Sequence, residues 1–182
     1  KRIGSEIYRA TKGQIRQPLV VFVDRNIESL VAFMAVAYSG NFYVPIDIQM
    51  PKKRVELILE TLKPLAMVVT NESKSFASLV APDLIAIDYE KQIADGVFSE
   101  ELLLSLRGKI TDRDPIYATF TSGSTGIPKG VITCHQSVID MTEALTETFD
   151  FSEESVFGNQ NPFYFDASIK DIYSTLKNGS TM

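Results

Sequence analysis

The densest concentration of phosphate-binding chemistry in the chain is Thr121-Ser122-Gly123-Ser124-Thr125-Gly126-Ile127-Pro128-Lys129-Gly130. Its three glycines permit positive φ and a close approach of backbone to ligand. Successive N–H groups in such a turn form a concave anion nest. The hydroxyls of Thr121, Ser122, Ser124 and Thr125 add donors, and Lys129 adds a fixed positive charge. Together they suit the cradling of a polyphosphate. Two common phosphate motifs fail on spacing. Counting from Gly123, the second glycine of a Walker A loop would fall on Pro128. The dinucleotide pattern Gly-x-Gly-x-x-Gly fails too, because the glycines stand at 123, 126 and 130. The competing reading is a plain polar loop, since Ser/Thr/Gly clusters between elements are common.

A second candidate is Asp166, which follows Phe163-Tyr164-Phe165 and precedes Ala167-Ser168-Ile169. By local sequence alone, an aspartate there is a good N-cap for the helix that follows. The single histidine, His135, and the single cysteine, Cys134, leave little material for a metal site or a Ser-His-Asp triad, so both are read as structural. Asp24 and Asp47 sit at strand ends, where turn and cap roles explain them.

These residues need elements to position them. Leu19–Val23 is a continuous apolar run, the pattern of a strand buried on both faces. Asn26 caps a helix that runs to Tyr38 and is stopped by Gly40. Phe42–Val44 is a second strand ended by Pro45, and Pro51 opens a helix in which Val55, Ile58, Leu59 and Leu62 recur at helical spacing. Ala66–Val69 and Leu84–Ile87 are further strands, and Glu100–Arg107 is a helix. Asp112–Pro115 is a polar connector and a candidate subdomain seam near 111–115. Ile116–Phe120 is a fifth strand running straight into the glycine-rich turn. Val138–Phe149 and Ile169–Leu176 are helices. Strand–helix alternation of this kind predicts an α/β fold, a mostly parallel sheet flanked by helices, with ligands at the carboxyl ends of the strands.

Composition removes several function classes. The 182 residues carry 18 basic and 23 acidic side chains, a net charge of −5, with 45% hydrophobic residues. That balance offers no basic footprint for nucleic acid or a membrane surface. The longest uncharged run, 29–46, is broken by Ser39, Gly40, Asn41 and Pro45, so it does not resemble a membrane span. The expectation is a cytoplasmic protein without nucleic-acid or membrane partners.

The stretch Tyr117–Val131 resembles the phosphate-loop motif of the adenylate-forming (AMP-binding) enzyme superfamily. Two more segments agree in order and spacing. Ala37-Tyr38-Ser39-Gly40-Asn41-Phe42-Tyr43-Val44-Pro45-Ile46-Asp47 is similar to an earlier motif of the Lys-Ala-Gly-Gly-Ala-Tyr-Val-Pro-Leu-Asp type, departing at Tyr38, Ser39 and Asn41. Phe165-Asp166-Ala167-Ser168 is similar to the Phe-Asp-x-Ser motif of the amino-acid-activating branch, which comprises nonribosomal peptide synthetase adenylation domains and D-alanine–carrier protein ligases. The resemblance runs from Val20 to Thr181.

What the resemblance implies is specific. Thr121, Ser122, Gly123, Ser124, Thr125, Gly126 and Lys129 would bind ATP, with Thr121 and Lys129 also assisting catalysis and Mg²⁺ accompanying the nucleotide. Asp166 would pair with the substrate's α-ammonium group, and Ala167 and Lys170 would line the side-chain pocket. No protein metal ligands are implied. The reaction would be activation of an amino acid as aminoacyl-AMP with release of pyrophosphate. Transfer to the phosphopantetheine thiol of a carrier protein, in cis or in trans, would follow. The family's ribose-binding aspartate, adenine-site motif, hinge and late lysine come after Phe-Asp-x-Ser. The chain is therefore expected to be part of the large N-terminal domain, without the C-terminal domain and inactive alone. Two alternatives stay open: an acyl- or aryl-acid AMP-forming ligase, and a non-catalytic nucleotide-binding α/β module.

Overall fold

Residues alternating along β1 (Pro18–Val23) supply both faces of one sheet: Leu19, Val21 and Val23 enter one apolar cluster, Val20 and Phe22 the other. This is why the run is apolar throughout rather than alternating. The computed structural model describes residues 1–121 and 127–182. Around β1 the chain adds α1 (Arg2–Ala10), α2 (Ile27–Tyr38), β2 (Phe42–Asp47), α3 (Lys52–Leu62), β3 (Ala66–Val69), α4 (Lys74–Val80) and β4 (Ile85–Asp88). It continues through α5 (Tyr89–Asp95), α6 (Glu100–Arg107), β5 (Pro115–Thr121), β6 (Lys129–Cys134), α7 (His135–Phe149) and α8 (Ala167–Asn178).

The strands form one sheet in the order β4-β3-β1-β2-β5-β6. All neighbours are parallel except β5 and β6, which pair antiparallel. The expected α/β, mostly parallel sheet is thus present. One face is covered by α1, α2, α7 and α8, through Ile7, Phe33, Val138 and Ile172 among others. The opposite face is covered by α3 and α4, through Val55, Ile58 and Ala77.

Local chemistry sets the boundaries. The Asn26 side chain accepts a hydrogen bond from the Ser29 N–H at 3.0 Å and starts α2. Gly40 ends that turn at φ +77°, and a Cβ there would sit 2.9 Å from Ile15 Cγ2, so only glycine fits. The departures from the family pattern on either side of it are buried and bonded to each other. Asn41 Nδ2 donates to Ser39 Oγ at 3.1 Å, and Asn41 Oδ1 accepts from the Gln17 N–H at 2.9 Å.

Several elements differ from what the sequence suggests. β2 does not stop at Pro45 but continues to Asp47. It pairs with β5 at the single position Tyr43↔Tyr117, so on that side the missing N–H of Pro45 breaks no ladder. Helices α1, α4 and α5 and strand β6 go beyond the sequence expectation. Strand β6 begins at Lys129, inside the motif whose glycines mask its extended character.

Candidate active site

Strands β5 and β6 bring the ends of the glycine-rich segment together. Thr121 pairs with Lys129 as the last rung, followed inward by Thr119↔Val131 and Tyr117↔Thr133. Thr121 Oγ1 lies 3.5 Å from the Lys129 carbonyl oxygen, which accepts from it. Of the phosphate-loop residues named from the sequence, Thr121 and Lys129 are positioned in this way. Ser122, Gly123, Ser124, Thr125 and Gly126 lie outside the described residues. Gly130 allows a close approach. A Cβ on it would meet the Phe120 ring at 3.1 Å, so a side chain there would force the ring to shift.

Beside this hairpin is a cavity of about 380 Å³. Tyr117, Thr119 and Thr121 line it from β5, Val131 and Thr133 from β6, and Tyr164, Phe165 and Asp166 from the turn before α8. Arg54 of α3 and Phe120 complete it. The cavity opens at the carboxyl end of β5. The chain leaving β2 returns towards β3, while the chain leaving β5 turns to β6, so the connections diverge over the β2/β5 boundary. Diverging connections of this kind leave a crevice where α/β sheets bind ligands.

Asp166 occupies the N-cap position of α8 at φ −58°, ψ −30°, but its side chain makes no capping hydrogen bond. The local expectation of a capping carboxylate is therefore not met. Ser168 Oγ instead donates to the Phe165 carbonyl at 2.7 Å, and the Ile169 N–H donates to the Asp166 carbonyl at 3.0 Å. The Asp166 carboxylate is exposed towards the cavity and, among the described residues, takes part in no ion pair. Its charge is felt by Tyr117. Burial raises that phenol above its ordinary value, a hydrogen bond with Thr133 opposes the rise, and the nearby Asp166 carboxylate adds to it.

Other candidates separate. Phe163 is not a cavity wall. It is buried in the core, with its ring centroid 6.2 Å from that of Phe33. Lys129 is exposed and does not line the cavity, and neither do Ala167 and Lys170, which lie along α8. His135 donates its N–H to the Asp114 carbonyl at 3.1 Å and lines a separate apolar groove with Met34, Ile116 and Tyr173. Burial pulls its imidazole below the ordinary value, against the pull of Asp114. That fits a structural imidazole, neutral at pH 7. Asp24 and Asp47 accept local backbone hydrogen bonds from Arg25 and Gln49, each at 2.7 Å, as turn residues do. Cys134 is only half-buried, with Sγ 3.3 Å from Ser137 Oγ.

The residues that sequence reasoning passed over are Tyr117, Thr119, Thr133 and Arg54. For Tyr117 and Thr119 a signal existed: polar side chains at every second position of β5, whose alternate residues are apolar, mark a face turned to a cavity. Among the described residues, no group of three or more His, Cys, Asp or Glu side chains could hold a metal ion. No helix among them is long and apolar enough to cross a membrane.

Comparison with known proteins decides the family. The model of the AMP-binding enzyme family matches residues 10–182. The chain belongs to the AMP-binding enzyme family. It is 30% identical over 179 residues to the D-alanine–D-alanyl carrier protein ligase of Listeria monocytogenes serotype 4b (strain CLIP80459), covering 98% of this chain and 35% of the ligase. It is 33% identical over 162 residues to bacitracin synthase 1 of Bacillus licheniformis, covering 89% of this chain and 3% of that protein. In fold it is similar to ATP-bound MatB from Rhodopseudomonas palustris, with a TM-score of 0.82 at 17% identity, over 100% of this chain and 38% of MatB. The chain thus spans about a third of the length of the carrier-protein ligases it matches. The described cavity joins Thr121, at one end of the glycine-rich segment, to Phe165 and Asp166.

Proposed function

We propose that this chain supplies the phosphate loop and part of the substrate pocket of an AMP-forming ligase that activates an amino acid and hands it to a carrier protein. The observation that supports this best is the sharing of one cavity by Thr121 and Asp166, with the Asp166 carboxylate uncommitted. An ammonium group entering a pocket walled by Tyr164 and Phe165 needs a counter-charge, since desolvating it unpaired costs several kcal/mol. Asp166 provides one. The substrate carboxylate then lies towards Thr121 and the loop, where ATP phosphates would be held by Ser122, Gly123, Ser124, Thr125, Gly126 and Lys129.

In the first step a carboxylate oxygen forms a bond to the α-phosphorus. The bond from that phosphorus to the bridging oxygen breaks, and its electron pair leaves with pyrophosphate. Charge developing on the leaving group is stabilised by the loop N–H groups, hydroxyls and Lys129. A Mg²⁺ ion accompanying ATP would be held mainly by phosphates and water, as is usual for that ion. When bound, it would neutralise phosphate charge. In the second step a phosphopantetheine thiolate on a carrier protein attacks the acyl carbon and AMP leaves. Ala167 and Lys170, one helical turn apart on α8, are proposed to act on the substrate side chain in the completed pocket. The need for ATP makes the cytoplasm the natural compartment. Since the ligases matched are about three times as long, the 182 residues alone are proposed to lack the complete reaction.

The test is amino-acid-dependent ATP–pyrophosphate exchange by the full-length protein, run against a panel that includes D-alanine. Replacing Asp166 with Ala should cut amino-acid-dependent exchange by about a hundredfold or more, as loss of a charge pair predicts. The circular dichroism spectrum should not change, because the Asp166 side chain makes no hydrogen bond among the described residues. Unchanged amino-acid dependence in Asp166→Ala would overturn the assignment.

A further inference from the structure

Arg54 is the one cavity-lining cation among the described residues, and none of them neutralises it. It is the third residue of α3, half-buried, and its helical neighbours three and four positions away are Met50, Pro51, Leu57 and Ile58. None is acidic. Lys52 on the same helix behaves differently, pairing with Glu56 at 3.6 Å. Residues 122–126 are Ser, Gly, Ser, Thr and Gly, which contain no carboxylate. A cavity-lining arginine without an acidic partner leaves its guanidinium free to take an anionic ligand.

Its position narrows the ligand. Val55 and Ile58 anchor α3 in the cluster that contains Val44 and Ala118, and Phe120 packs against that cluster. Helix α3 also touches β6, whose first residue, Lys129, faces Thr121. Arg54 therefore approaches the cavity from the face on which Phe120 packs, next to β6. Asp166 lines the same cavity, yet no ion pair forms between the two. The cavity thus presents one cationic and one anionic group held apart, which matches a ligand assembly with an ammonium at one end and an oxyanion at the other.

We infer that Arg54 is an oxyanion-binding residue of this cleft, grasping phosphate oxygens of the leaving pyrophosphate; the inference rests on the adenylation reading above. The planar guanidinium fork matches two phosphate oxygens at once, which a lysine cannot do. The other source of an oxyanion is the substrate carboxylate. A bidentate clamp there would tie up the attacking oxygens, so the phosphate is the chemically favoured partner.

The experiment titrates magnesium pyrophosphate into the full-length protein calorimetrically, for wild type, Arg54→Gln and Arg54→Lys. Exchange kinetics are measured alongside. Arg54→Gln should weaken pyrophosphate binding roughly tenfold to a hundredfold, the loss expected for a charge-assisted hydrogen bond. Arg54→Lys should fall between, and KM for the amino acid should hold. Pyrophosphate affinity unchanged in folded Arg54→Gln, or absent in wild type, overturns the inference. A loss confined to the amino-acid KM overturns it as well and assigns Arg54 to the substrate carboxylate. If Arg54→Gln melts cooperatively at a much lower temperature, Arg54→Lys becomes the deciding variant, because it keeps the charge and removes only the fork. If wild type binds pyrophosphate but exchanges with no amino acid, the adenylation reading fails while the titration still tests Arg54.

Discussion

Two parts of the same sheet are built on opposite plans. In β4-β3-β1-β2 the ladders are continuous: six paired positions join β1 to β2 and four join β3 to β4. Residues 19–23 of β1 are buried on both faces. From β2 outward the plan changes. A single pair, Tyr43↔Tyr117, joins β2 to β5, and the edge strand β6 leaves Val131 and Ile132 more than half exposed. Continuous pairing consumes the backbone groups and leaves no space between strands. The cavity lined by Thr121 and Asp166 lies on this second side, against β5 and β6. Stability is concentrated on one side and chemistry on the other.

That contrast can be broken most severely from the buried side. Phe33 of α2 is fully buried and stacks on Tyr43, with ring centroids 4.1 Å apart and planes 12° from parallel. Phe33→Ala should lower unfolding stability by about 3–5 kcal/mol, measured by urea denaturation, through lost transfer energy and a residual cavity. The joint itself is probed by Tyr43. Its hydroxyl lies 3.1 Å from that of Tyr173 on α8, so β2 is tied to the helix whose first turn follows Asp166. Burial raises both phenols well above their ordinary values, so both stay protonated near neutral pH. Tyr43→Phe should cost about 1–2 kcal/mol. The double variant with Tyr173→Phe should cost less than the two single losses added together, because no hydroxyl is then left without its partner. A sum that is fully additive would mean that the bond does not couple β2 to α8.

The same division explains what is legible in the sequence. Strands β1, β2 and β3 are visible there because two-sided burial forces unbroken apolar runs. Helix α2 is visible because Asn26 and Gly40 are local punctuation for a helix. Strand β6 is hidden: an exposed edge strand needs no apolar pattern, and Lys129 and Gly130 look like loop. Helix α1 is hidden because its N-cap, Lys1, makes no capping bond. In the site, Thr121 and Asp166 are carried by short motifs, so type and spacing are enough to single them out. The idle capping role of Asp166 and the presence of Arg54 depend on how α3 and the turn before α8 meet β5 and β6. No local spacing encodes that meeting.

The weakly paired joint has a support at its lower end, and it is electrostatic. Asp114, just before β5, accepts from Arg16 Nε at 2.6 Å and from Arg16 Nη2 at 3.0 Å, while Arg16 Nη2 also donates to the Lys109 carbonyl at 2.6 Å. Arg16 lies just before β1, so this bidentate clamp ties the entrance of β5 to the continuously paired half of the sheet. The Arg16 hydrogen bond is the main influence holding the Asp114 carboxyl below its ordinary value. A carboxyl whose pKa is depressed on folding contributes stability above the unfolded value, near 3.9, and loses it as pH falls through the lowered folded value. Asp114→Asn should therefore lower the melting temperature at pH 7, by less than Tyr43→Phe does because Arg16 is largely solvated. The gap from wild type should close as pH drops below about 4. If the clamp serves the joint rather than the sheet as a whole, hydrogen exchange should quicken in β5 and β6 while β1 and β3 keep their protection. Uniform loss of protection across all strands would show instead that the two halves of the sheet unfold as one.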